Sequence, residues 1–193
     1  MTWRAGFLAS VSVAVACSDY SGVDTSAADA GPTLLANSDF AQGCAGWTVF
    51  GTNGMTTSNV TIEQDPAGHT ASPSCRVCRT TSYEGDLGIV QAIARPVKGG
   101  DKFYGEAWLR KVVGKPAPTE ISMLLAVRAT PDDFATEATS PESKPALADD
   151  WKQANVLFTA PDGGGAVALV ITAHATKDQT CFSIDDALLR VEP

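Results

Sequence analysis

The sequence predicts an all-β protein, a two-sheet β-sandwich, on three observations. Short runs of β-branched and aromatic residues alternate with a period of two. Gly, Pro and Asp interrupt them at a spacing that suits a sandwich better than a parallel α/β sheet. No stretch carries a convincing amphipathic helical stripe. At 193 residues the chain is ample for one such domain plus an export segment. No internal repeat is visible.

The strands follow in order. After the Leu34-Leu35 pair, residues 47–51 (WTVFG) are the first clear run, and residues 59–64 (NVTIEQ) alternate cleanly. A turn at Asp65-Pro66-Ala67-Gly68 leads to residues 75–81. Residues 87–94 (LGIVQAIA) stop short of Pro96, and Gly99-Gly100-Asp101 makes the next turn. Residues 102–113 form a long strand with Phe103, Gly105, Ala107 and Leu109 on one side and Tyr104, Glu106, Trp108 and Arg110 on the other. Residues 120–129 are another, before a Pro- and acid-rich stretch over 131–150. Residues 151–159, 166–175 and 181–191 complete the set, with Gly163-Gly164-Gly165 read as a hairpin turn.

Charge excludes one class of partner. The chain has 22 Asp+Glu against 14 Lys+Arg and a formal net charge of −8. A nucleic-acid backbone needs clustered Lys and Arg, and no such stripe exists. The acidity suits a solubilising surface.

Residues 1–16 read as a signal peptide: Arg4 is the positive n-region, and residues 5–16 are uncharged but shorter than the roughly 20 residues that span a bilayer. Ala14-Val15-Ala16-Cys17 suits cleavage after Ala16 and also resembles a bacterial lipobox, with Cys17 acylated. Ala14 departs from the Leu usual at the first lipobox position. Residues 17–33 are small, polar and acidic, as a flexible tether requires, and the folded domain is expected over 34–193. The protein is therefore expected to be exported, either as an outer-membrane lipoprotein touching the membrane only through its anchor or as an extracellular protein.

With Cys17 set aside, Cys44, Cys75, Cys78 and Cys181 are an even set, suited to structural disulfides in an oxidising compartment. Cys75-x-x-Cys78 invites a redox or zinc reading. Redox motifs of that spacing sit at strand-to-helix turns, whereas residues 74–80 alternate like a strand. Zinc needs a second ligand pair, and His69 and His174 offer no matching spacing. Three pairings are open to four cysteines. Positions i and i+3 of a strand point to opposite faces, so one of this pair is expected to bond Cys44 and the other Cys181.

Two segments form matching halves of one pattern: Leu34-Leu35-Ala36-Asn37-Ser38-Asp39-Phe40 with Gly46-Trp47, and Cys181-Phe182-Ser183-Ile184-Asp185-Asp186-Ala187-Leu188-Leu189. They resemble the non-catalytic carbohydrate-binding modules appended to bacterial glycanases, which are jelly rolls of the galactose-binding-like type. Residues 91–100 followed by 103–110 look like the central pair of strands in that family. Residues 151–153 followed by 156–158 are similar to a later strand. The resemblance spans residues 34–191. It implies N- and C-terminal strands lying side by side, a monomer, a glycan partner and no catalysis.

Such modules hold sugar rings on aromatic faces, with polar side chains on the hydroxyls. The resemblance makes Tyr83, in a loop beside Glu84 and Asp86, and Tyr104 with Trp108, on one strand face, the ligand-binding candidates. Trp47 and Trp151 suit core or sheet packing, and Phe134, in the longest loop (131–150), is either a tucked anchor or a contact residue. In related modules an aspartate of the C-terminal motif often helps bind a structural calcium, which here implies Asp39 and Asp185 as ligands. Ala41 stands where the family usually has Glu, which removes one oxygen of the six to eight that calcium takes. Asp185-Asp186 is no glycosidase pair, because adjacent strand residues point to opposite faces. Neither a nucleophile elbow nor a phosphate-binding loop is present. The expected function is non-catalytic carbohydrate binding. The alternative is a structural or protein-interaction module of the cell envelope with no sugar site.

Overall fold

The computed structural model describes residues 32–193 apart from 53–54, 71–72, 82–83 and 176–177. The segments expected to be a signal peptide and most of a tether, with Cys17, and also Tyr83, lie outside the described residues. The strands are β1 (Thr48–Thr52), β2 (Val60–Asp65), β3 (Ser74–Arg79), β4 (Gly85–Ala94), β5 (Lys102–Lys111), β6 (Glu120–Arg128), β7 (Ala138–Thr139), β8 (Lys152–Thr159), β9 (Ala166–Ala175) and β10 (Cys181–Glu192), with one 3-10 turn at Thr57–Asn59. They form two five-stranded antiparallel sheets, a front sheet ordered β1-β4-β9-β6-β7 and a back sheet ordered β2-β3-β10-β5-β8. The molecule is a jelly-roll β-sandwich.

Alternation explains the core. Leu87, Ile89, Met123, Leu125, Leu169 and Ile171 of the front sheet meet Val77, Phe103, Leu109, Phe182 and Ile184 of the back sheet, all fully buried. Each contributes about 1.5–3 kcal/mol. Gly105 makes room for the facing sheet: a Cβ there would lie 2.8 Å from Leu125 Cδ2. The two-sided pattern expected for residues 102–113 holds, with Phe103, Ala107 and Leu109 inward.

Cys44 bonds Cys75 and Cys78 bonds Cys181, so the adjacent pair does separate between two partners. Cys78 and Cys181 are directly opposed across β3 and β10. Trp47 is a core residue, stacked on Phe40 at 5.2 Å.

Four expectations are corrected. Gly163-Gly165 closes no hairpin, because β8 and β9 belong to different sheets; Gly163 and Gly164 take positive φ in a crossing between them. Residues 91–100 and 103–110 are not a paired unit, since β4 is in the front sheet and β5 in the back. The first strand does not lie beside the last; β1 pairs β4. What flanks β10 is the bent segment before β1, where Leu34 N donates to Leu189 O (2.7 Å) and Ala187 N donates to Ser38 O (2.8 Å). The stretch 131–150, read as loop, contributes the two-residue β7 to the front sheet.

Candidate functional site

The middle of the front sheet's outer face is apolar where a solvated face would be polar. Val90, Ala126, Ala168 and Val170 form a buried cluster there, with Phe50, Ala92 and Leu124 packed against it. Over this face lies a cleft of about 440 Å³, within the roughly 300–1,000 Å³ of small-molecule sites. Leu124, Ala126, Val170 and Thr172 form its floor. Phe50 and Thr52 of β1, with Thr57 beyond them, line it from one edge of the sheet. Phe134 and Thr136 of the β6–β7 loop and Thr139 of β7 line it from the other.

Local sequence positions each wall. Phe50 registers against Gly88, and a Cβ at Gly88 would lie 2.2 Å from Phe50 Cζ. The missing side chain therefore lets the ring settle on the sheet. Phe134 is 54 % exposed, unlike the core aromatics, and the guanidinium of Arg128 lies 5.2 Å from its ring centre. Arg128 lines the same cleft at the end of β6, and the residue is only 4 % exposed. Burial pushes its guanidinium below the usual arginine range, with Asp133 opposing. Among the described residues the lining includes hydroxyls, aromatic faces and one cation, but no Asp, Glu or His. Such a surface can stack on a ring and bond its hydroxyls, yet it offers no carboxylate pair for hydrolysis.

Two of the sequence candidates, Tyr104 and Trp108, lie on the opposite face of the sandwich; Tyr83 lies outside the described residues. Tyr104 and Trp108 share the outer face of the back sheet, as expected, but each is already covered. The Arg190 guanidinium lies 4.7 Å from the Tyr104 ring centre, and the phenol donates to Glu106 Oε2 at 2.6 Å. Burial and that bond push the Tyr104 hydroxyl up to about 12. Trp108 is stacked by His69 at 3.9 Å, with Trp151 edge-on to the same imidazole. The β2–β3 loop thus takes the ring face a sugar would use.

That loop is latched by carboxylates. His69 N donates to Asp185 Oδ2 (2.6 Å), Asp186 N donates to Asp185 Oδ1 (2.8 Å), and His69 Nδ1 lies 2.7 Å from Asp186 Oδ2. Asp185 is fully buried, and burial pushes its carboxyl up against these backbone donors and that of Thr70. Asp39 is exposed and accepts from Ala41 N in its own turn. Calcium needs converging oxygens, whereas Asp185 faces N–H donors; among the described residues no metal-binding group of three or more His, Cys, Asp or Glu assembles. The residues present do not fit the ion.

Asp65 anchors the loop's start. Burial favours its neutral form, but the Ala67 N–H, the Ser183 hydroxyl (2.9 Å) and Arg76 (3.2 Å) outweigh that and hold it below the usual carboxylate range. A lowered value contributes stability that is present above the unfolded-state pKa and is lost as pH falls through the folded one. Ser183→Ala is expected to cost about 1.5–3 kcal/mol at neutral pH. The difference from the parent should shrink with acidification, read from melting at a series of pH values. A pH-independent difference would contradict this account.

Against this geometry, comparisons with known proteins establish the fold. No protein-family model and no curated protein matches the chain by sequence. Solved structures do match. TmCBM61 in complex with β-1,4-galactotriose aligns with a TM-score of 0.54 at 16% identity, covering 84% of this chain and 100% of that one. The CBM22-1 xylan-binding domain of Paenibacillus barcinonensis Xyn10C aligns at 0.57 and 17%, covering 83% and 95%. The chain has their sandwich fold. Two others have catalytic names. A Stig cyclase from Fischerella sp. TAU aligns at 0.61 and 12%, covering 83% and 97%. The enzymatically active domain of bacteriophage CBA120 tailspike protein 4 aligns at 0.61 and 13%, and the chain spans about a fifth of its length.

Phe50, Arg128 and the threonines of the cleft were not singled out by the sequence. One signal pointed there: residues 166–175 (AVALVITAHA) are apolar on both faces of the strand, so the outer face is not an ordinary solvated one.

Proposed function

We propose that the protein is a non-catalytic carbohydrate-binding protein that holds its glycan in the front-sheet cleft. One observation carries the reading: an exposed and a sheet-seated aromatic, Phe134 and Phe50, flank a preformed cleft whose remaining polar atoms are mostly threonine hydroxyls. Rings stack on such aromatics while hydroxyls and a cation fix orientation. The carbohydrate-binding modules among the structural neighbours support the same class of ligand. Among the described residues the lining holds no carboxylate pair of the kind that hydrolyses glycosides.

Export fits the two disulfides, which persist in oxidising compartments. Acylation at Cys17 is part of the proposal, and mass spectrometry of the mature N-terminus reads it directly.

Glycan-array binding followed by titration of the full chain tests the site. Phe134→Ala is expected to weaken binding by about 1–3 kcal/mol with little change in melting, since the ring is mostly exposed. Trp108→Ala is expected to change melting but not affinity. If Trp108→Ala alone weakens binding, the site is on the back sheet. Silence across plant, fungal and bacterial glycans favours the envelope interaction module.

A further inference from the structure

Arg128 is out of balance with its surroundings. The residue is 4 % exposed, its Nε is buried without a hydrogen-bond partner, and among the described residues no ion pair joins its guanidinium to a carboxylate. The other deeply buried arginine, Arg79, bonds Ala175 O at 2.9 Å and lies 3.9 Å from Asp178. Arg128 instead lines the cleft, with the Phe134 ring 5.2 Å from its guanidinium. A buried cation without a counter-ion is costly, and such groups are paired in folded proteins or paired by what they bind.

We infer that the cleft selects a glycan bearing a uronic acid, whose carboxylate Arg128 receives. The inference rests on the cleft being a sugar site. A neutral sugar's hydroxyls would accept hydrogen bonds from the guanidinium but leave its charge uncompensated. A carboxylate does both, and its two oxygens match the planar fork of arginine. Asp133 is the nearby acid that acts on Arg128, and no ion pair joins the two. Charge also limits the ligand. With a formal net charge of −8 the chain repels a densely charged polyuronate, and the cleft lining holds one cation. The fitting ligand is an otherwise neutral oligosaccharide with a single uronic acid.

The test titrates the full chain with β-1,4-galactotriose and xylohexaose, and with matched oligosaccharides carrying one uronic acid, as free acid and as methyl ester. The ester keeps the shape and removes the charge. The free acid is expected to bind at least about tenfold more tightly than its ester, with the gap narrowing in high salt. Arg128→Gln should abolish that gap, whatever it does to the affinity for the ester and the neutral sugars, because acid and ester then meet the same uncharged side chain. Arg128→Lys, a point charge without the fork, should restore part of it. Arg128→Met, which keeps the apolar stem, serves as the folding control and should melt no lower than the parent. Equal binding of acid and ester overturns the uronate inference and leaves the sugar site standing. Binding of none of the probes, with the array also silent, overturns both.

Discussion

Full reduction is expected to lower the melting temperature by more than about 10 °C. Each native disulfide of a small exported domain is worth about 2–5 kcal/mol, and at this size each kcal/mol shifts melting by about 2–4 °C. The two bridges should not count equally. Cys78–Cys181 joins residues 103 apart, whereas Cys44–Cys75 spans 31. In the loop-entropy account the longer closure constrains the unfolded chain more, at about 4.7 kcal/mol for a loop near 100 residues. The double variant Cys78→Ala/Cys181→Ala should therefore melt below Cys44→Ala/Cys75→Ala. Scanning calorimetry of both, beside the reduced parent, decides. A melting curve indifferent to reductant would mean that neither bridge constrains the fold.

Asp185→Ala should rank next, costing about 2–4 kcal/mol. Its carboxylate accepts backbone N–H groups from His69 and Asp186 in a site with no solvent access. Removing it strands those donors, and an unsatisfied buried polar group costs about 1–3 kcal/mol. The damage should be local as well as global. Once released, the β2–β3 loop lifts His69 from Trp108, and acrylamide quenching of tryptophan fluorescence should increase. Asp185→Asn keeps one acceptor oxygen but turns an amide NH2 toward an existing donor, and should fall between. A chelator should leave the parent's melting unchanged, because Asp39 and Asp185 belong to separate hydrogen-bond networks. A calcium-dependent melting shift would restore the metal reading.

The fold was legible because its strands declare themselves locally. Period-two alternation in residues 102–113 placed Phe103, Ala107 and Leu109 inside without any knowledge of neighbours. The same alternation forced Cys75 and Cys78 apart. Connectivity was less legible. Whether a Gly-rich segment such as 163–165 turns within a sheet or crosses between sheets depends on what the distant strands pair with, and a local pattern does not encode that. The site was harder again. Tyr104 and Trp108 looked available on their strand, yet Arg190 and His69 cover them from residues 86 and 39 positions away. Phe134 stood out only as an aromatic in a long loop; its pairing with Phe50 across the cleft arises from the order of the front sheet.

The place of β10 bears on when this protein can fold. The strand lies in the middle of the back sheet, between β3 and β5, and carries one end of a disulfide. Until it has emerged from the ribosome, β2–β3 and β5–β8 are separate pairs with nothing between them. Closing that gap joins segments made far apart in time, a topology that folds slowly. Under the export proposed above, in which the chain is threaded through a secretion channel, the delay is useful. Translation and passage can finish before a stable sandwich exists to jam the pore, and the bridge between Cys78 and Cys181 can then form on the far side, where oxidation makes the closure permanent.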